Sequence, residues 1–341
     1  VARKSFARYS SVMRIVIATG IYPPEVGGPA LYAKGVKESL ERDGIEAPLA
    51  LFSTFRSYPS GVRHVLYGLH LLKVARSASA IFVFDTYSVA LPATVVGLIL
   101  RIPVIIRVGG DFVWESYVER TQKLVPLPLL YTSGVTFNFK ERVAFTLVKW
   151  MFRHTKLAFN TQWLYEIWKK PYGLSNENTR VVENAIGHRF ESSGKDDGSI
   201  LFFGRQIALK NHVAFHRAFA RAQADGMTLE LKEGIIPHAE LIEKIRTCHA
   251  VAIPSISDVA PNNLIDALRS GKPFLLTKYS GYAEKYKDFG IIIDPLDEAD
   301  MVRGLREIAD PVIYERLCTR IKEYTEVRTY DDVAREMRAI L

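Results

Sequence analysis

The stretch IPSISDVAPNNLIDALRSGKP, residues 253–273, decides how the second half of the chain is read. Ala250, Val251, Ala252 and Ile253 are small or apolar and read as a buried strand. Pro254 to Ala260 form a loop, and Pro261 sits where a helix tolerates proline, in its first turn. Leu264, Ala267 and Leu268 recur at helical spacing and make one apolar face. Gly271 ends the helix, and Pro273 opens the next strand, Phe274-Leu275-Leu276. Asp258 and Asp266 stand eight positions apart. The first is expected at the carboxyl end of a strand. The second is expected in the first helical turn, off the apolar face and near exposed backbone N–H groups. Open parallel sheets bind ligands at strand carboxyl ends, and helix N-termini favour anions and hydroxyl-rich groups. On these residues alone, a turn aspartate and a surface acid fit as well.

The same alternation runs outward in both directions. Apolar runs at 14–18, 48–52, 81–84, 103–108, 157–159 and 181–182 read as strands, separated by helical patterns. A second series begins at 200–203 and continues through 228–231, 250–253, 274–276 and 291–293. Strands alternating with helices argue for parallel, doubly wound α/β sheets. The polar stretch 188–199 reads as a linker. It divides an N-terminal domain, 13–190, from a C-terminal domain, 199–325. A last helix, 326–341, is expected to pack back on the first domain.

Two further turns carry candidate chemistry. After the first strand comes TGIYPPEVGGP, in which Gly27 and Gly28 let backbone approach a ligand closely. The strand, Gly-rich loop and helix form a phosphate-cradling layout, although G-x-G-x-x-G is absent. The second domain opens with FGRQIALKN, which places Arg205 just past a strand and Lys210 at a helix start. Two fixed cations there suit a diphosphate: arginine as a planar fork, lysine as a point charge. Asp111 follows Gly109-Gly110 at a strand end, either to bind a sugar hydroxyl or acceptor or as a turn residue.

Together these motifs resemble the family-4 glycosyltransferases. That signature combines Pro-Ser, two glutamates eight positions apart, and Gly-x-Pro. It appears here as Pro254-Ser255, Asp258, Asp266-Ala267 and Gly271-Lys272-Pro273, with both glutamates shortened to aspartate. The Gly204-Arg205 to Lys210 spacing and the Gly27-Gly28 loop are similar to that family's, and Asn184-Ala185 stands where it carries Asn-Gly. The resemblance implies the glycosyltransferase-B architecture, two Rossmann-like domains facing a cleft. It also implies transfer from a nucleoside-diphosphate sugar with retention of configuration and without metal or other cofactor. Arg205, Lys210 and Asp258 would be catalytic. Gly27, Gly28, Asp111, Asn184, Asp266, Asn262 and Asn263 would bind substrate, with Asp266 on the ribose and Asp258 on the donor sugar. The acceptor would be a cell-envelope, polysaccharide or lipid-linked sugar. The alternatives are a nucleotide-sugar 2-epimerase on the same architecture, or a nucleotide-sugar-binding protein without turnover.

Composition narrows the field further. Of 341 residues, two are cysteines, outside any C-x-x-C pair, which fits a reduced cytoplasmic protein. The net charge of +8 is uneven. Residues 1–190 carry 24 Lys and Arg against 13 Asp and Glu, +11, and the remainder carries 21 against 24, −3. The excess suggests an anionic partner for the first half, such as a phosphorylated acceptor or an anionic membrane surface reached peripherally. Aromatic and basic residues mixed along 139–170 could form that surface. Nucleic acid is not expected, because no dense Lys/Arg run or recognition module occurs. His212 and His216 share a helical face but lack the H-E-x-x-H glutamate, so zinc is not expected there. No Asp-x-Asp or G-x-S-x-G occurs. The tail 1–12 is basic and Ser-rich without a signal-peptide core.

Overall fold

The computed structural model describes residues 13–25, 27–190 and 195–341. The tail 1–12 and the centre of the expected linker lie outside the described residues. The first half runs β1 (Ile15–Thr19), α1 (Gly28–Arg42), β2 (Leu49–Leu51), α2 (Val62–Ala75), β3 (Ala80–Val83), α3 (Ala90–Leu100) and β4 (Val104–Val108). It continues with α4 (Phe112–Thr121), α5 (Leu127–Leu130), α6 (Phe139–His154), β5 (Lys156–Phe159), α7 (Gln162–Tyr172) and β6 (Thr179–Val181). The second half runs β7 (Ser199–Phe203), α8 (His212–Ala224), β8 (Glu230–Gly234), α9 (His238–Thr247), β9 (Ala250–Ile253), α10 (Asn262–Arg269) and β10 (Phe274–Thr277). It ends with α11 (Ala283–Tyr286), β11 (Ile291–Ile293), α12 (Glu298–Ala309), α13 (Pro311–Glu323) and α14 (Tyr330–Arg338).

The strands form two parallel sheets, ordered β2-β1-β3-β4-β5-β6 and β11-β10-β9-β7-β8. β1, β3, β4 and β9 are buried along their whole length, as strands covered by helices on both faces must be. Strand order reverses between β1 and β3 in one sheet and between β7 and β9 in the other. Those crevices are where such sheets bind ligands.

Most aromatic residues of the 139–170 stretch turn inward, contrary to the expectation of a mixed lipid-facing surface, while Phe139 and the basic residues Lys140, Arg142, Arg153, Lys169 and Lys170 stay exposed. Phe152 and Trp168 are buried in the first domain's core, and Trp150 and Trp163 pack against it. The physical reason is periodicity: α7 presents Leu164, Tyr165, Trp168 and Tyr172 to the sheet as one stripe. Exposed apolar side chains also gather on the neighbouring helices α2 and α3. Val65 and Leu69 on α2 are 64% and 60% exposed, and Ile99 on α3 is 61% exposed. On α2 it is Tyr67, Leu71 and Ala75 that fill the core, which leaves Val65 and Leu69 facing outward.

α14 lies against α1. Val333, Ala334 and Met337 join a cluster with Tyr32, Val36 and Leu40. A Cβ on Gly35 would fall 2.4 Å from the Tyr330 ring, so glycine is what lets the two helices meet. The segment between α13 and α14 is pinned by Ile186 and Gly187, whose N–H groups donate to the Arg328 carbonyl at 2.8 and 3.0 Å.

Candidate active site in the interdomain cleft

The second domain supplies a charged cluster at its sheet crevice. Lys210, on the turn between β7 and α8, places Nζ 2.8 Å from Asp258 Oδ2 and 3.3 Å from Ser255 Oγ. Asp258 follows β9 and is held by its backbone: its N–H donates to the Tyr279 carbonyl at 3.1 Å, and its carbonyl accepts from the Gly281 N–H at 3.3 Å. Asn211 explains the turn. Its φ of 61° is left-handed, a region asparagine tolerates. Its buried amide donates to the carbonyls of Pro254 and Pro295 at 3.3 and 2.8 Å, tying the turn to the loops after β9 and β11. Arg205 is exposed on the same turn.

The helix α10 closes the crevice. Asn263 donates from its amide to the Phe203 carbonyl at 3.0 Å, so it fastens the helix start to the end of β7. Asp266 departs from expectation. It lies in the second turn and is 4% exposed, not set at an open helix end. Counted from the helix start at Asn262, Asp266 is the fifth helical residue and so lies past the first turn. Its Oδ2 accepts from His238 Nε2 at 2.8 Å, and Arg269 Nη1 stands 3.6 Å from Oδ1. This hydrogen bond, more than burial opposes it, raises the His238 pKa above its usual 6.5.

The first domain faces this cluster with its own strand ends. A Cβ on Gly28 would stand 3.2 Å from the Asn262 amide nitrogen, so the glycine loop meets the start of α10 across the cleft. Gly27 has φ 158°, and a Cβ there would strike the Ile21 side chain at 2.7 Å. Asp111 takes the capping role of the two considered. It is 1% exposed, caps α4, and accepts from Val113 and Trp114 N–H at 2.9 and 3.0 Å. Its other oxygen accepts from Tyr131 Oη at 2.5 Å and Trp168 Nε1 at 2.8 Å. Four donors use its lone pairs, leaving little for a ligand. Asn184 is also buried, accepting from Arg107 Nη2 at 2.6 Å.

Sequence reasoning missed Glu115. It sits on α4, one turn beyond the Asp111 cap, and lies near Gly110, whose added Cβ would be 3.4 Å from Oε1. Burial pushes its carboxyl up from the usual range, against the pull of the Arg205 and Lys210 charges. It is therefore the first domain's carboxyl facing the second domain's cations. Nothing local marked it: Glu115 stands beside the apolar stripe Val113, Trp114, Tyr117 and Val118 of α4 and belongs to no motif. Arg107 was missed likewise: it is a buried cation within a strand, 4.9 Å over the Tyr32 ring, and burial lowers its pKa.

The domains touch beside the cluster. The Leu127 N–H donates to Ser257 Oγ at 3.0 Å. Leu209, Ile256 and Val259 of the second domain are buried within the first domain's core cluster. Gly281 fits against Thr161 so closely that a Cβ would fall 2.8 Å from its Cγ2. The Asp258 loop is thus seated on the first domain by apolar packing.

No family model matches this chain, and no curated protein sequence matches it. Solved structures do. HepE from Anabaena, in complex with UDP-glucose, superposes with TM-score 0.67 at 14% identity over 96% of this chain and 98% of that one. Sucrose-phosphate synthase from Thermosynechococcus elongatus gives 0.69 at 13% identity over 96% and 98%. WaaG, a glycosyltransferase involved in lipopolysaccharide biosynthesis, gives 0.64 at 12% over 95% and 98%. The fold is that of the glycosyltransferase-B enzymes, two parallel α/β domains facing a cleft.

Proposed function

We propose that the chain transfers a sugar from a nucleoside-diphosphate sugar to a hydroxyl acceptor, retaining anomeric configuration and using no catalytic metal. The Lys210–Asp258 pair carries this reading, 2.8 Å apart and beside Arg205 where the strand order reverses. Lys210 and Arg205 meet the diphosphate, whose negative charge grows as its bond to the anomeric carbon breaks. Asp258 orients Lys210 with one oxygen and offers the other to donor-sugar hydroxyls. Asp266 accepts from the ribose, sharing its carboxylate with His238. Gly28 and Asn262 close over the donor from opposite walls. The leaving phosphate oxygen takes the acceptor proton, and Glu115 positions the acceptor hydroxyl in the place first considered for Asp111. HepE, of the same fold, holds UDP-glucose, which supports this donor class.

The acceptor is proposed to be a cell-envelope, polysaccharide or lipid-linked sugar. Val65, Leu69 and Ile99 stand exposed, with exposed Lys73, Arg76 and Arg101 on or beside the same two helices. That combination suits a peripheral seat on an anionic headgroup layer. Among the described residues no helix is long and apolar enough to cross a membrane. The test is a screen of nucleoside-diphosphate sugars for transfer and hydrolysis. Turnover of one donor class supports the reading, and Glu115→Gln should then raise the acceptor KM more than the donor KM. No turnover and no calorimetric binding across the panel would defeat it.

A further inference from the structure

We propose that His212, His216 and Glu233 form a binding site for a divalent transition-metal ion of the zinc type, beside the Arg205 turn. The two histidines lie one turn apart on α8, and the third ligand comes from β8. That is why the sequence pattern around the histidines did not reveal it. One ligand atom from each residue lies within 4.8 Å of the others. His216 Nε2 is 2.8 Å from Glu233 Oε2, and His212 Nδ1 is 3.7 Å from the same oxygen. Tetrahedral zinc with bonds of about 2.0–2.1 Å spaces its ligand atoms roughly 3.3 Å apart, so small side-chain rotations complete the site.

The surroundings orient the ligands. Glu233 is the ladder partner of Phe202, and the His212 ring stacks on Phe202 with centroids 4.3 Å apart. His212 Nε2 stands 3.3 Å from the Arg205 carbonyl oxygen. A carbonyl only accepts, so Nε2 carries the hydrogen, and in the neutral ring Nδ1 turns its lone pair toward the Glu233 carboxylate. A histidine ligand whose other nitrogen donates to a backbone carbonyl is the usual arrangement at metal sites. Two imidazoles and one carboxylate suit zinc, whereas magnesium prefers an octahedron of oxygens. All three side chains reach solvent, which gives the ion an entry path and leaves room for water as a fourth ligand.

Calorimetric titration of the untagged full chain with zinc chloride, without nucleotide, tests the site independently of the proposed transfer reaction. One zinc per chain is expected, with affinity lowered about tenfold or more in both His216→Ala and Glu233→Gln. Magnesium chloride should give no binding heat. His216 is exposed, so its variant should keep the wild-type melting temperature. Cobalt(II) in zinc's place should show the visible absorption of tetrahedral coordination in the wild type and lose it in His216→Ala. Equal zinc affinity in the wild type and both variants, or the absence of one-to-one binding, overturns the proposal.

Discussion

Asp111→Ala removes one carboxylate and leaves four donors to find new partners. Two are backbone N–H groups at the start of α4, and losing their cap costs about 1 kcal/mol. A third is Trp168 Nε1, fully buried; leaving such a donor unsatisfied costs about 1–3 kcal/mol. The fourth, Tyr131 Oη, keeps a partner in Tyr172 Oη at 2.8 Å, so it adds little. The loss is near 3 kcal/mol, which lowers the melting temperature by about 6–12 °C for a domain of this size. Asp111→Asn should lose about half as much, because one oxygen still caps the helix while the new amide faces the Trp168 donor. Differential scanning fluorimetry measures the shift, and calorimetry below the transition with the nucleoside-diphosphate sugar found by the donor screen measures the site. Both variants should bind that donor as the wild type does while folded. An Asp111→Ala protein that melts within about 2 °C of wild type but loses donor-sugar binding would refute the capping assignment and restore the sugar contact.

Three further outcomes follow from the geometry. Gly281→Ala places a Cβ 2.4 Å from the Val259 carbonyl oxygen, so it should destabilise the chain by about 1–3 kcal/mol and weaken binding of the proposed nucleoside-diphosphate donor by shifting the Asp258 loop, as melting and calorimetry would show. The His238 pKa is raised in the fold by Asp266, so this pair's stabilisation is full below the unfolded value of 6.5 and is lost as pH rises through the elevated folded value. The melting deficit of His238→Gln should therefore be largest in mildly acidic buffer and close in alkaline buffer; a deficit that grows with pH would contradict the sign. Leu69→Asp should abolish co-sedimentation with anionic vesicles at low salt while leaving binding of the proposed nucleoside-diphosphate donor intact, and equal sedimentation of the wild type with neutral vesicles would remove the proposed anionic headgroup seat.

The apolar runs fixed most strands to within a residue or two, because buried parallel strands leave an unbroken hydrophobic signal. The Lys210 and Asp258 turns were legible for the same reason: each directly follows such a run. What stayed hidden depends on partners distant in sequence. Asp266 reads as a surface acid until α9 brings His238 to it. Glu233 looks like an edge-strand charge until α8 lies beside it. The aromatic residues of α6 and α7 suggest a lipid-facing belt in composition, and only the helical phase against the sheet turns them inward. Glu115 has no motif, and its position follows from how α4 leaves its Asp111 cap toward the opposite domain.

In the proposed reaction Arg205 and Lys210 stabilise a departing diphosphate without help from a catalytic metal. Steady-state sugar transfer from the best donor, in the presence of a chelator, tests it directly for the wild type, Arg205→Ala and Lys210→Ala. Wild-type turnover should be undiminished by chelator, and each variant should lose about a hundredfold, the scale of one transition-state charge contact. Wild-type turnover abolished by chelator, or both variants as active as the wild type, would contradict it.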